Sequence, residues 1–361
     1  MAGSNQEHRL NLTVGEIVEV KSKEEILATL DETGRLEALP FMPEMLRYCG
    51  KRFRVAKRAD KTCDNIGPPE RPLEWSLRRL NNSVFLTGVR CDGSAHGNCD
   101  AGCFIFWKEA WLKRVETDFL DASQVTQRQS SVSGESVPAN VASPACTEEK
   151  LRNACTRTSE TAPPGEPIYS CQATDLRKFT SHLYWWDLRQ YFWDIRSGNL
   201  KRGIGGSRSE EVLETLLAIL EIVRSILIHV FNMLQSVRAG VQYPHLQGSL
   251  DATPTAELNL QPGELVEVKS KAEILTTLDR RNKNRGLLFD SEMIRYCGGT
   301  YRVLKRVNQI VDERTGKVLR MKSPCIILEG VSCVSEYHRL CPRAIYHYWR
   351  EAWLRRVVGI T

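Results

Sequence analysis

The sequence predicts a β-rich α+β protein in which two copies of a small SH3-like barrel domain flank an aromatic and helical middle segment. Three observations carry that prediction. The first is an internal repeat: LNLTVGEIVEVKSKEEILATLD at Leu10–Asp31 recurs as LNLQPGELVEVKSKAEILTTLD at Leu258–Asp279, with 17 of 22 positions identical. It continues through EMLRYCG (Glu44–Gly50) against EMIRYCG (Glu292–Gly298), and ends with WKEAWLKRV (Trp107–Val115) against WREAWLRRV (Trp349–Val357). The second is that each copy spans about a hundred residues, the usual size of one domain, while two copies are too few for a solenoid. The third is that short apolar runs separated by long, varied loops fill each copy, as in small barrels. An open-sheet α+β domain is the alternative.

Each copy opens with Gly-Glu and an alternating run, Ile17-Val18-Glu19-Val20 or Leu265-Val266-Glu267-Val268, which reads as a strand after a turn. Ser22 with Glu25, and Ser270 with Glu273, form capping boxes that start short helices ending at Leu30 and Leu278. Strands are expected at Arg52–Val55 with Tyr301–Leu304, at Val84–Leu86 with Cys325–Leu328, and at the closing Ala110–Leu112 with Ala352–Leu354. Asp312–Lys317, between two apolar runs, has the composition of a hairpin turn. The expected domains are 1–120 for the first copy, 121–167 for a flexible linker, 168–247 for the middle segment and 248–361 for the basic second copy. The linker is assigned on its Ser, Thr, Gln, Pro and Ala content. Its Cys146 and Cys155 are expected to be free surface thiols.

The middle segment crowds aromatic residues between Leu183 and Asp194. Helical spacing puts Trp186, Gln190 and Trp193 on one side, as expected of a cluster docking one domain on another; stacking on bases is the alternative. Next, Ser207–Glu210 has a capping-box pattern, and the apolar run 212–237 predicts a helix interrupted by Glu221, Arg224, Ser225, His229 and Asn232. Those charges argue against a transmembrane span. They leave a helix clamped between the copies, or one making peripheral contact with a membrane surface.

The net charge of +6 is uneven: from Leu258 to Thr361 there are 19 Lys and Arg against 11 Asp and Glu, a local +8, which leaves −2 for the other residues. A basic third of this kind suits nucleic acid or an acidic partner, although a solvated face is the commoner case. The first residues show no secretory pattern, so a cytoplasmic location is expected, where twelve cysteines point to metal or redox roles before disulfides. Dinucleotide, P-loop, His-Glu-x-x-His and Gly-x-Ser-x-Gly motifs do not occur, so the sequence offers no catalytic assignment.

The chemistry concentrates in Cys91-x4-His96-x2-Cys99-x3-Cys103, set among Gly, Asp, Ser and Asn. Aligning the copies on their tryptophans puts Cys91 over Cys333, His96 over His338 and Cys99 over Cys341; upstream, Cys49 falls over Cys297. Thiolates and imidazole close a tetrahedron around structural zinc. The expected ligands are Cys91, His96, Cys99 and Cys103, with Cys49 or Cys63 as the alternative, and Cys297, Cys333, His338 and Cys341 in the second copy. Ile345 stands where Cys103 would recur. An iron or iron–sulfur centre is the alternative cofactor. Buried apolar cysteines, or a Cys99/Cys103 redox pair, are the other readings.

Cys91–His96 resembles the CDGSH motif of the iron–sulfur domains of that name, with Ala95 inserted and the upstream Cys-x-Cys pair missing. More extensively, GEIVEVKSKEEILATLD, LPFMPEMLRYCG, CDGSAHGNC, WKEAWLKRV and CQATDL (Cys171–Leu176) resemble a family of tandem-repeat bacterial proteins. That resemblance implies shared architecture but no activity, and it marks Cys171 as a further candidate ligand. The expectation is a metal-binding scaffold with a protein partner; an iron-dependent redox accessory protein and a nucleic-acid binder are the alternatives.

Overall fold

The computed structural model describes residues 9–64, 76–115, 145–157, 166–201 and 208–357. The protein mixes helices with small antiparallel sheets. The first copy forms a five-stranded sheet in the order Trp107–Lys108, Ser83–Leu86, Arg52–Arg58, Ile17–Val20, Leu112–Arg114. The second copy repeats that order with Trp349–Arg350, Cys325–Leu328, Thr300–Arg306, Leu265–Val268 and Leu354–Arg356. Register repeats as well. Val18 pairs with Phe53 and Val266 with Tyr301, and both long strands carry the same irregularity, at Val55/Lys57 and Val303/Lys305. A bulge at that point bends each strand. Among the described residues neither sheet closes into a barrel, which corrects the SH3-like expectation. In the first sheet the edge strands Trp107–Lys108 and Leu112–Arg114 pair with Ser83–Leu86 and Ile17–Val20 but not with each other.

Each sheet packs its inner face against a tryptophan pair. Phe41 sits edge-on to Trp107 and Trp111 at 6.1 and 5.1 Å, and Phe289 to Trp349 and Trp353 at 6.3 and 5.4 Å. Between those tryptophans the repeated Glu is a clamp. Glu109 accepts the backbone N–H groups of Leu10, Asn11 and Leu12 and the Arg58 guanidinium; Glu351 does the same for Leu258, Asn259, Leu260 and Arg306. The repeated Leu-Asn-Leu and Trp-x-Glu-Ala-Trp strings therefore belong to one contact. Both predicted capping boxes form, on Ser22 and Ser270, and Gln309–Val311 pairs with Val318–Arg320 across the predicted turn.

The middle segment is built into the first copy. Ser181–Leu183 adds a third strand to the pair Lys61–Asp64 and Ser76–Arg79. Gln172 bridges the chain at Phe106, accepting its N–H at 2.8 Å and donating to its carbonyl at 3.0 Å and to Pro40 O at 2.9 Å. Asp175 gathers Arg35, Arg157, Lys178 and Ser170. Burial would raise its pKa, and these partners outweigh it and bring it down to about 2.

Four expectations need correction. Part of the linker is ordered: Glu148–Asn153 is a helix, and Thr156–Arg157 pairs with Ile168–Tyr169; its remainder, 121–144 and 158–165, lies outside the described residues. Cys146 and Cys155 are buried, because that helix seats Leu151 and Cys146 in the first core. The aromatic cluster is only partly buried. Gln190 and Tyr191 are buried, with Lys61 5.3 Å from the Tyr191 ring centroid, but Tyr184, Trp186, Phe192 and Trp193 are exposed, because the helix begins only at Arg189. The long helix Arg208–Val237 is not clamped between the copies: from Ser209 onward only Glu214, Ala218, Ile222 and Ser225 are buried. Ser207 of its expected cap lies outside the described residues.

Candidate metal centre

In both copies the turn of 3-10 helix after the first hairpin carries a glutamate inward. Pro43–Tyr48 holds Glu44, and Ser291–Tyr296 holds Glu292, both buried. The Cys/His loop of the same copy folds over that carboxylate. Cys91 Sγ lies 3.0 Å from Glu44 Oε1, and His96 Nδ1 lies 3.1 Å from the same oxygen. In the second copy Cys333 Sγ and His338 Nδ1 are 3.7 Å apart, and His338 Nδ1 is 4.0 Å from Glu292 Oε1. One donor atom from each of Glu44, Cys91 and His96, and likewise of Glu292, Cys333 and His338, falls within 4.8 Å of the others.

The loop is locked by its own backbone. Cys91 N donates to Cys103 O at 2.8 Å, and Cys333 N to Ile345 O at 2.7 Å, so this part of Cys103's role needs no thiol. Gly93 takes φ +74°, and a Cβ there would fall 2.1 Å from Cys99 O. A side chain at Gly93 therefore cannot coexist with this loop path.

The polar atoms around Glu44 are short of partners. Both nitrogens of His96 and the second oxygen of Glu44 are buried without a hydrogen bond, as is Glu292 Oε2. The Cys91 thiol bonds Glu44 Oε1, but the 3.1 Å approach of His96 to the same oxygen lacks the geometry of a bond, so the His96 nitrogens and Glu44 Oε2 stay unsatisfied where three donor types converge. Such an arrangement is costly unless something else is bound there. Burial pushes the Cys91 and Cys333 thiols well up, reinforced by Glu44 and Glu292 respectively. Burial also pulls Glu44 upward, but His96 and Cys91 outweigh it and hold the carboxyl low, whereas at Glu292 burial wins. A divalent cation removes the conflict, since it favours both thiolate and carboxylate.

The structure redistributes the other expected ligands. Cys49 and Cys297 end their 3-10 turns beside Lys23 and Lys271 rather than in the Glu/Cys/His groups. Cys63 leaves the first copy's site altogether: its N–H donates to Cys341 Sγ of the second copy at 3.0 Å. Cys99 and Cys103 are not within the tight group. With Cys171 they line a cavity of about 40 Å³, on whose wall Cys91 and His96 also lie. Glu44 and Glu292 are what sequence reasoning missed. The signal was present, since both stand at matching places in the repeated EMLRYCG and EMIRYCG strings, but cysteines drew the assignment to the far end of each string.

These loops are also where the two copies meet, and the contact is reciprocal. Asp100 N donates to Gln309 O at 2.9 Å, Asp100 Oδ2 accepts from Asn308 N at 2.9 Å, and Val311 N donates to Cys99 Sγ at 3.3 Å. In the opposite sense Cys63 N meets Cys341 Sγ, and Arg343 Nη1 donates to Cys63 O at 3.3 Å. Burial would raise the Cys341 pKa, but the Cys63 thiol, the backbone N–H groups of Arg343 and Cys63 and the Arg343 guanidinium outweigh it and lower it. Arg90 seals the junction between Phe104 and Tyr346, 3.9 Å from each ring centroid, and donates to Ala344 O at 3.0 Å. Compared with known families, curated proteins and solved structures, the chain matches none.

Proposed function

We propose that the protein is a metal-binding scaffold that holds one ion in each copy, on Glu44, Cys91 and His96 and on Glu292, Cys333 and His338. The observation that carries this reading is that in the first copy the buried Glu44 and His96 converge on the Cys91 sulfur while Glu44 Oε2 and both His96 nitrogens lack a hydrogen bond. Mixed S, N and O donors suit zinc best. Three donors leave one position of a tetrahedron. In the first copy the neighbouring cavity offers Cys99, Cys103 and Cys171 to complete it, which would close the site as in structural zinc.

The ions would act through the loops. Each loop that carries a Cys and a His also receives a strand of the other copy, so fixing the loop fixes the junction. Against a nucleic-acid surface, Arg306, Arg343, Arg355 and Arg356 of the basic copy already face Glu351, Glu313, Glu267 with Glu273, and Glu264. Elemental analysis with a visible spectrum, on protein purified under reducing conditions, tests the reading. Zinc without colour supports it, iron with a visible band moves the protein to the redox class, and a metal-free fold rejects it.

A further inference from the structure

The long helix Arg208–Val237 is the one described helix long and apolar enough to span a membrane. Its back is held by the rest of the protein: Arg224 pairs with Glu336, His229 lies 5.5 Å from the Trp185 ring centroid, and Asn232 exchanges two hydrogen bonds of 2.7 Å with the Tyr243 backbone. Its front is covered by no described residue. Eleven large apolar side chains on this helix are exposed, Val212 at 56%, Leu220 at 63% and Leu227 at 64% among them.

That front has a strict period of seven. Leu213, Leu220, Leu227 and Leu234 form one row; Leu216, Val223, Val230 and Val237 form the second; Val212, Ile219, Ile226 and Met233 form the third. In heptad terms these are the e, a and d positions, and all twelve are apolar. Glu210, Glu211, Glu214, Glu221, Arg224 and His229 all fall outside them.

We propose that this helix assembles copies of the chain, packing its heptad face against the same face of at least one further copy. A bilayer surface selects an apolar sector but imposes no seven-residue repeat. A straight helix drifts about 20° per heptad against such a repeat, so a strict repeat follows a helical partner that supercoils with it. Three apolar positions in seven make a stripe wider than a two-stranded zipper needs and suit a bundle. The partner is a second copy because nothing in the stripe discriminates against one. Partner choice in coiled coils rests on charges at e and g. Here e is leucine throughout and g is Thr215, Ile222, His229 and Ser236, so identical helices meet with no like-charge acid or lysine pairs. A standard interface takes about 800 Å² from each partner, and eleven half-exposed large side chains supply area of that order.

Sedimentation velocity on the full chain in detergent-free buffer at micromolar concentration tests this. The expected mass is that of a dimer or higher assembly. Leu220→Glu with Val223→Glu, both on the exposed face, is expected to give a monomer with unchanged far-ultraviolet dichroism and unchanged metal content, and Gln235→Glu, outside the stripe, is expected to leave the assembly intact. A monomeric wild-type chain overturns the proposal, as does an assembly that survives the double substitution. A monomer that co-sediments with phosphatidylcholine–phosphatidylglycerol vesicles overturns it in favour of lipid.

Discussion

The Cys91 thiol meets Glu44, 47 positions earlier in the chain, at 3.0 Å, and the second copy places Cys333 with Glu292 in the same relation to the fold. A thiol and a carboxyl buried this close resist ionising together, and burial with the Glu44 carboxylate raises the Cys91 pKa. The pair's recurrence in both copies is what the proposed metal sites rest on.

The Glu109 clamp is central to the first sheet. Replacing it with alanine removes one carboxylate partner of the Arg58 guanidinium, which keeps Asp60 and Leu12 O, and frees three backbone N–H groups. Removing one partner of a buried pair costs about 3–5 kcal/mol, so Glu109→Ala is expected to lower the urea midpoint by that amount of stability, with Glu351→Ala behaving alike.

Arg90 is the contact between copies that stands on packing as much as on charge. Stacking between two rings and two carbonyl bonds, to Gly102 and Ala344, are lost in Arg90→Ala. The expected cost is about 2–3 kcal/mol, given up to about 2 for a desolvated cation–π contact. Arg90→Lys is expected to recover little, because the planar fork is what fits between the rings. Thermal melts of both variants decide this.

Acid stability follows from Asp175. Its folded pKa, about 2, lies below the unfolded value of 3.8, so between the two the unfolded chain binds the extra proton and stability falls as pH falls. The contribution, roughly 2.5 kcal/mol at neutral pH, is present above pH 4 and lost through the window from about 4 to 2. Asp175→Asn is expected to flatten the pH dependence of the urea midpoint in that window.

What was legible in the sequence is what local pattern controls. Alternation in IVEV, the Ser22 and Ser270 caps and the Asp312–Lys317 turn each act within a few residues, and each formed where the residues indicated. Long-range geometry was not legible. Nothing in the spacing of Cys63 says that its strand crosses to Cys341, 278 positions away. Barrel closure depends on whether edge strands meet, which short apolar runs do not encode. The metal group was half legible: Cys91, His96, Cys333 and His338 announced themselves by type and register, while Glu44 and Glu292 went unassigned, because a lone glutamate in the repeated EMLRYCG and EMIRYCG strings does not say that folding will bury it.

If the loops depend on their ions, chelation should loosen the junction between copies. A chelator under reducing conditions is expected to lower the melting temperature, at roughly 2–4 °C per kcal/mol for a domain of 150–250 residues, and to expose the strands at Lys61–Asp64 and Gln309–Val311 to faster amide exchange. Unchanged exchange there would separate metal binding from the junction.

The most direct test of the central claim is metal content per chain, by mass spectrometry of the metal, in the wild type and in Glu44→Gln and Glu292→Gln. The account predicts two ions per wild-type chain and one in each variant, since each glutamate serves its own group. Two ions retained in both variants, or none in the wild type with all thiols reduced, would contradict it.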